Sequence, residues 1–236
     1  MVLSSGGNLL KEVMIAFLAN ELGMALAVAI TAMDDNEMQK LAIVMPEADQ
    51  GDMENVVKNL ADKPLAERTS VFLKLLTDAA DGLAEMHRKG FAHRDIKPGN
   101  IFVKTGETGK PVGMLGDLGI SRHESDFGSI EMGGTIPYMP DDTSVGLSVD
   151  SYAFGMMVFE LLSGGSFPFL ATPEAVFDGK SDLTMPDSET LKERLDSRLP
   201  TASDEVKSFI ERSLSRVAEE RPSMVEWREA LIRNLA

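Results

Sequence analysis

The sequence predicts an α+β fold, with a short β-rich start giving way to a longer, mostly helical remainder. Three observations carry this. Two apolar, β-prone runs, 25–31 and 40–45, flank Met33-Asp34-Asp35-Asn36-Glu37, which is a hairpin signal. Residues 68–89 place Val71, Phe72, Leu75, Leu76, Ala79, Leu83 and Met86 on one stripe of a helix. Residues 149–162 are apolar nearly all round, the mark of a buried helix.

The chain has 236 residues, 43% hydrophobic and 26% charged, enough for one large domain or two small ones with a real core. Its formal net charge of −15 disfavours nonspecific binding to nucleic acid, which wants a basic patch. There is no cysteine, hence no disulfide, thiol chemistry or Cys-based zinc site, and the three histidines are scattered. The longest apolar run, 24–30, is far below the ~20 residues a bilayer needs. The start, residues 1–8, has no cationic region ahead of it and so does not read as an export signal. The expectation is a cytoplasmic protein with no nucleic-acid or membrane partner; a secreted effector delivered without a cleaved signal has the same appearance.

In chain order, residues 8–19 read as a helix, with Leu10, Met14, Phe17 and Leu18 at helical spacing and Gly23 as its stop. The run 40–45 leads into an acidic connector over 46–53. The helix over 68–89 has Thr69 or Ser70 to cap it and Gly90 to end it. Ile101-Phe102-Val103 and Gly113-Met114-Leu115 read as short strands joined by a turn rich in Gly, Thr and Lys. That hairpin brings Asp117 back towards Asn100, so the two can converge on one metal ion. Residues 121–133 are polar and weakly patterned. Ser148 can cap the buried helix and Gly164 can end it; inside it, Asp150 must find donors, because a buried carboxylate without them is costly. Helices follow near 188–197 and 203–215. Ser223 and Glu226 form a capping box for a last helix, with Pro222 just before it.

The chemistry concentrates in His93-Arg94-Asp95-Ile96-Lys97-Pro98-Gly99-Asn100. Phosphoryl transfer to a hydroxyl needs a carboxylate to accept the proton, a cation near the transferred charge and an oxygen for magnesium. Asp95, Lys97 and Asn100 supply these groups within six positions. The stretch resembles the catalytic loop H-R-D-x-K-P-x-N of the eukaryotic-like serine/threonine protein kinases, at every fixed position. Asp117-Leu118-Gly119 resembles that family's D-F-G, with leucine for phenylalanine. Gly134-Thr135-Ile136-Pro137-Tyr138-Met139-Pro140-Asp141 resembles G-T-x-x-Y-M-A-P-E, without the alanine and with aspartate for glutamate. The turn 163–169, Ser-Gly-Gly-Ser-Phe-Pro-Phe, matches the one after the family's buried helix. The likeness runs from about residue 8 to the end.

That resemblance implies a protein-kinase-like fold. A partial small lobe would cover 1–48 (helix C and the last two strands, with the hinge at its end), and a large lobe 49–236. It implies Asp95 as catalytic base, Lys97 stabilising the transferred phosphoryl group, and Asn100 and Asp117 holding magnesium. Met45 would be the gatekeeper, Pro46 and Ala48 would offer backbone to the adenine edge, Asp52 would sit near the ribose, and Phe102 under the base. Glu12, with Glu21 as the weaker match, corresponds to the glutamate that pairs with a strand lysine. Arg94 would pair with a phosphate on Ser121, Ser125 or Ser129, and Thr135 joins Glu12 and Arg94 as a regulatory position. Asp150 would bind the catalytic-loop backbone, and Arg221 would pair with the acid after Pro140. The implied cofactors are ATP and Mg2+, and the implied partner is a protein carrying serine or threonine, since Lys97 favours these over tyrosine.

The small lobe is cut short. No G-x-G-x-x-G precedes the first helix, no V-A-I-K lysine is present, and Lys11 is adjacent to Glu12 and so faces another way. Three strands have no counterpart, so upstream strands or a partner are expected to cover the apolar runs. Two classes of function stand: an ATP-dependent serine/threonine kinase, and a catalytically impaired kinase fragment or pseudokinase acting as a protein-docking module.

Overall fold

The computed structural model describes residues 2–3, 27–31, 40–44, 46–129, 133–141, 146–172, 174–175, 177, 179 and 182–235, with backbone alone for 2–3, 27–31, 40–44 and 128–129. The helix expected over 8–19 with Glu12, the weaker match Glu21, and Met45, expected as the gatekeeper, lie outside these residues.

The fold is α+β and rich in helix. The hairpin is present: β2 (Ala27–Thr31) and β3 (Lys40–Val44) pair antiparallel, Ala27 opposite Val44 and Thr31 opposite Lys40. A two-residue strand, β1 (Val2–Leu3), adds to the free edge of β3, giving the order β1-β3-β2. Two residues carry no periodicity, so this strand leaves no signal in the sequence.

A short helix that the sequence reading missed, α1 (Met53–Asn59), follows the acidic connector. Asp52 caps it, its Oδ1 accepting the Asn55 N–H at 2.9 Å. The long helix α2 runs Leu65–Arg88, three residues earlier than expected. Neither Thr69 nor Ser70 caps it: extended Pro64 does, its carbonyl accepting the Arg68 N–H at 3.1 Å. Gly90 follows its end with φ 77°, where a side chain is disfavoured. The short strand β4 (Phe91–Ala92) then pairs with β7 (Arg122–His123), and β5 (Ile101–Thr105) pairs antiparallel with β6 (Pro111–Leu115).

Helix α3 (Ser148–Ser163) is buried along almost its whole length. Ser148 is inside the helix rather than its cap, and Gly164 ends it in the left-handed conformation, φ 79°. Around α3 stand α4 (Ser188–Arg198), α5 (Asp204–Ser213) and α6 (Met224–Leu235). The capping box at the start of α6 is formed: the Ser223 N–H donates to Glu226 Oε2 at 2.8 Å and the Glu226 N–H to Ser223 Oγ at 3.3 Å. The core draws on α1, α2, α3, the β5–β6 hairpin and α4–α6, with Phe154, Phe159 and Trp227 as its largest fully buried side chains. Among the described residues no helix is long and apolar enough to cross a membrane.

Candidate active site

Buried Asp150 anchors the loop 93–100 from below. Its Oδ2 accepts the His93 N–H at 2.7 Å and the His87 Nε2–H at 2.8 Å, and its Oδ1 accepts the Arg94 N–H at 2.7 Å. Burial alone would push the carboxyl up, but these donors hold it below the ordinary aspartate range. The loop they pin is strained: Arg94 has φ 73°, costly for a residue with a side chain. His93 is buried too, donating from Nε2 to Gly116 O at 2.8 Å and accepting the Asp95 N–H at Nδ1, 3.3 Å away. Those two bonds fix its tautomer and tie the loop to the segment leading to Asp117.

Held this way, Asp95 meets three donors. Its Oδ1 accepts the Thr135 hydroxyl at 2.6 Å; its Oδ2 accepts Lys97 Nζ at 2.9 Å and Asn100 Nδ2 at 2.8 Å. Lys97 also donates to Thr135 Oγ1 at 2.7 Å. Burial opposes ionisation of Asp95, but Thr135, Lys97 and Asn100 outweigh it and hold the pKa below its usual value. The carboxylate is therefore ionised at neutral pH and fixed in one orientation.

Asn100 spends its amide nitrogen on Asp95, donating to the backbone carbonyl at 2.7 Å as well as to Oδ2. Its amide oxygen is then the atom left for a cation. The hairpin brings Asp117 back as expected: the Gly116 N–H donates to Asn100 O at 2.8 Å. Asp117 has φ 51°, and among the described residues its Oδ1 accepts a long bond, 3.3 Å, from the Gly119 N–H. Oxygen-only donors, few in number, suit magnesium, which keeps waters and takes one or two protein ligands beside phosphates. The residues present fit that ion.

The Phe102 ring lies against Gly116, beside this pair. A Cβ at Gly116 would lie 2.3–2.8 Å from its ring, so position 116 must be glycine for the ring to lie there. Asp52 bridges to Phe102 through the backbone while its carboxylate caps α1. Pro46 and Ala48 lie on the connector that leads to it.

Two expectations change. Ser121 is buried, its hydroxyl donating to His93 O at 3.3 Å, so it is a structural group and not an exposed acceptor of phosphate; Ser125 is exposed. The acid after Pro140, Asp141, pairs with Arg216 at 3.2 Å; among the described contacts of Arg221 are a bond donated to Ser215 O and a place over the Tyr152 ring. The loop between α5 and α6 brings Arg216 outward, and Arg221 is drawn under α3. His87 escaped the sequence reading. Its signal was position: four residues beyond Leu83, it puts a polar ring on the buried stripe of α2.

A protein kinase domain model matches residues 16–231. The chain belongs to the protein kinase domain family. It is similar to serine/threonine-protein kinase PkaA of Streptomyces coelicolor, 33% identical over 199 residues, which cover 79% of this chain and 33% of that protein. It is also similar to serine/threonine-protein kinase pkn2 of Myxococcus xanthus, 39% identical over 102 residues, which cover 39% of this chain and 12% of that protein. Serine/threonine-protein kinase PknB of Mycolicibacterium smegmatis is 31% identical over 144 residues, covering 57% of this chain and 22% of that protein. The chain thus spans about a third or less of the length of these curated relatives.

Proposed function

We propose that this chain carries the site at which a serine/threonine protein kinase binds ATP with magnesium and transfers the γ-phosphoryl group to a serine or threonine hydroxyl of a protein. The observation that carries this is the set of bonds on Asp95: one oxygen held by Thr135, the other by Lys97 and Asn100. Asp95 accepts the proton of the attacking hydroxyl. Lys97, 2.9 Å from that carboxylate, lies where negative charge develops on the transferred group. Asn100 and Asp117 hold magnesium, which neutralises phosphate charge when bound. Phe102 underlies the base, the backbone of Pro46 and Ala48 meets its edge, Met45 gates it and Asp52 stands near the ribose. Glu12, Arg94 and Thr135 are regulatory, Thr135 acting directly through Asp95. Residues 1–48 are the partial small lobe and 49–236 the large lobe, in a cytoplasmic protein.

A docking module is the second reading, favoured by the absence of a V-A-I-K lysine and a glycine-rich loop from the sequence. Losing one electrostatic group of this kind costs ~10²–10³ in rate, and several are missing. Transfer of radiolabelled γ-phosphate to a general acceptor protein separates the readings, using this chain, a form extended upstream in the genome, and Asp95→Ala in both. The expectation is little or no transfer by residues 1–236 and clear transfer by the longer form. Robust transfer that survives Asp95→Ala contradicts the assignment of the base, and silence in every sample favours docking.

A further inference from the structure

The connector 46–52 is fastened to β5 more firmly than a turn requires. The Gln50 N–H donates to Val103 O at 3.1 Å, the Val103 N–H donates to Gly51 O at 2.8 Å, and Asp52 bridges to Phe102. Asp49 closes the far end. Its Oδ1 accepts the Thr105 N–H at 2.7 Å and its Oδ2 accepts the Thr105 hydroxyl at 2.6 Å. Gln50 Nε2 donates to the same hydroxyl oxygen at 2.9 Å. The two Thr105 donors hold the Asp49 carboxyl below its usual range, so the clasp is ionised and charge-assisted at neutral pH. One residue earlier, Ala48 gives its carbonyl to the Gly51 N–H at 2.9 Å, closing a turn with Gly51 at φ 76°. The Ala48 N–H belongs to the peptide just before that turn. Strand β5 is thus tied at Thr105 to the connector, carries Phe102 as its second residue, and begins next to Asn100.

We propose that Asp49 and Thr105 are positioning residues for the nucleotide base: their clasp holds the backbone of 46–48 at a set spacing from the Phe102 ring. This rests on the nucleotide reading above. Without the clasp, the last paired residues of an exposed edge fray and the peptide planes facing the base lose their fixed distance from its floor. The clasp lies away from the metal pair, so it acts on the base and not on the phosphates.

Two ligands separate those effects: adenosine, which has no phosphate, and Mg-ATP. Ligand-observed NMR titrations of each are run with the wild type, Asp49→Ala, Thr105→Val and Thr105→Ser. Thr105→Val keeps the β-branched shape of an exposed strand residue and exchanges the hydroxyl for a methyl, so it preserves the fold. The expected result is a roughly threefold to tenfold loss for both ligands alike in Asp49→Ala and Thr105→Val, with Thr105→Ser near the wild type. Unchanged affinities in these variants, with a wild type that binds, overturn the clasp and leave the nucleotide reading standing. Weakened Mg-ATP binding with adenosine untouched also overturns it, because the effect then runs through the phosphates. A wild type that binds neither ligand overturns the nucleotide reading and the clasp with it.

Discussion

Asp150, wholly shielded from solvent, accepts the Arg94 N–H at 2.7 Å, and Arg94 holds the left-handed φ of 73° that turns Asp95 towards Lys97. The loop 93–100 is thus strained at one residue and restrained by a carboxylate on the neighbouring helix.

That relationship makes Asp150 a stability residue with a defined pH signature. Asp150→Ala leaves the His93 and Arg94 N–H groups without their acceptor, at a cost of roughly 3 kcal/mol. Its folded pKa is depressed, so the stability it adds is present above the unfolded value of 3.8 and is lost as pH falls through the folded one. Urea midpoints should differ most between wild type and Asp150→Ala at neutral pH and converge below about pH 4. A gap that does not change with pH would contradict the ionised-acceptor role.

Glu160 behaves in the opposite sense. It accepts the Tyr138 hydroxyl at 2.7 Å, and burial, then the nearby Glu54 charge, push its carboxyl up to about 7 against that bond. A raised folded pKa means stability fully present below the unfolded value and lost as pH rises through 7. Glu160→Gln, which mimics the protonated form, should therefore match the wild type near pH 4 and exceed its urea midpoint at pH 8. Equal midpoints at pH 8 would show that Glu160 is not the titrating group.

Gly116 tests the proposed floor of the site. Gly116→Ala forces the added methyl into the Phe102 ring, 2.3 Å from its nearest atom. Overpacking of this kind costs roughly 1–3 kcal/mol. Thermal unfolding should register that loss, and adenosine binding should weaken as the ring shifts. A variant as stable as the wild type, with unaltered adenosine affinity, would place Phe102 elsewhere.

Much of this architecture was legible in the sequence. Long periodic stripes and an all-round apolar helix are strong signals, and so α2 and α3 were expected. The hairpin between Asn100 and Asp117 was legible because its turn chemistry interrupts two β-prone runs. Helix α1 was hidden because seven residues give barely two turns of pattern, and its cap, Asp52, had been read only as a nucleotide contact. The start of α2 was misplaced because Pro64 caps with a carbonyl, which no side-chain signal announces. The pairing of Asp141 with Arg216 depends on where the loop between α5 and α6 turns, and spacing alone does not give that. Ser121 looked like any serine of a polar segment until its burial against His93 was seen.

Magnesium-dependent nucleotide binding at Asn100 and Asp117 is the most direct test of the proposed site. Mg-ATP is titrated by calorimetry into the wild type and Asp117→Asn, with adenosine as the phosphate-free control. The wild type should bind Mg-ATP weakly and lose affinity when magnesium is removed. Asp117→Asn should weaken Mg-ATP binding by no less than the roughly 10–100-fold that even outer partners of a metal contribute, while adenosine affinity stays the same. Equal Mg-ATP affinity in the two proteins, or binding indifferent to magnesium, would contradict the assignment of the metal site.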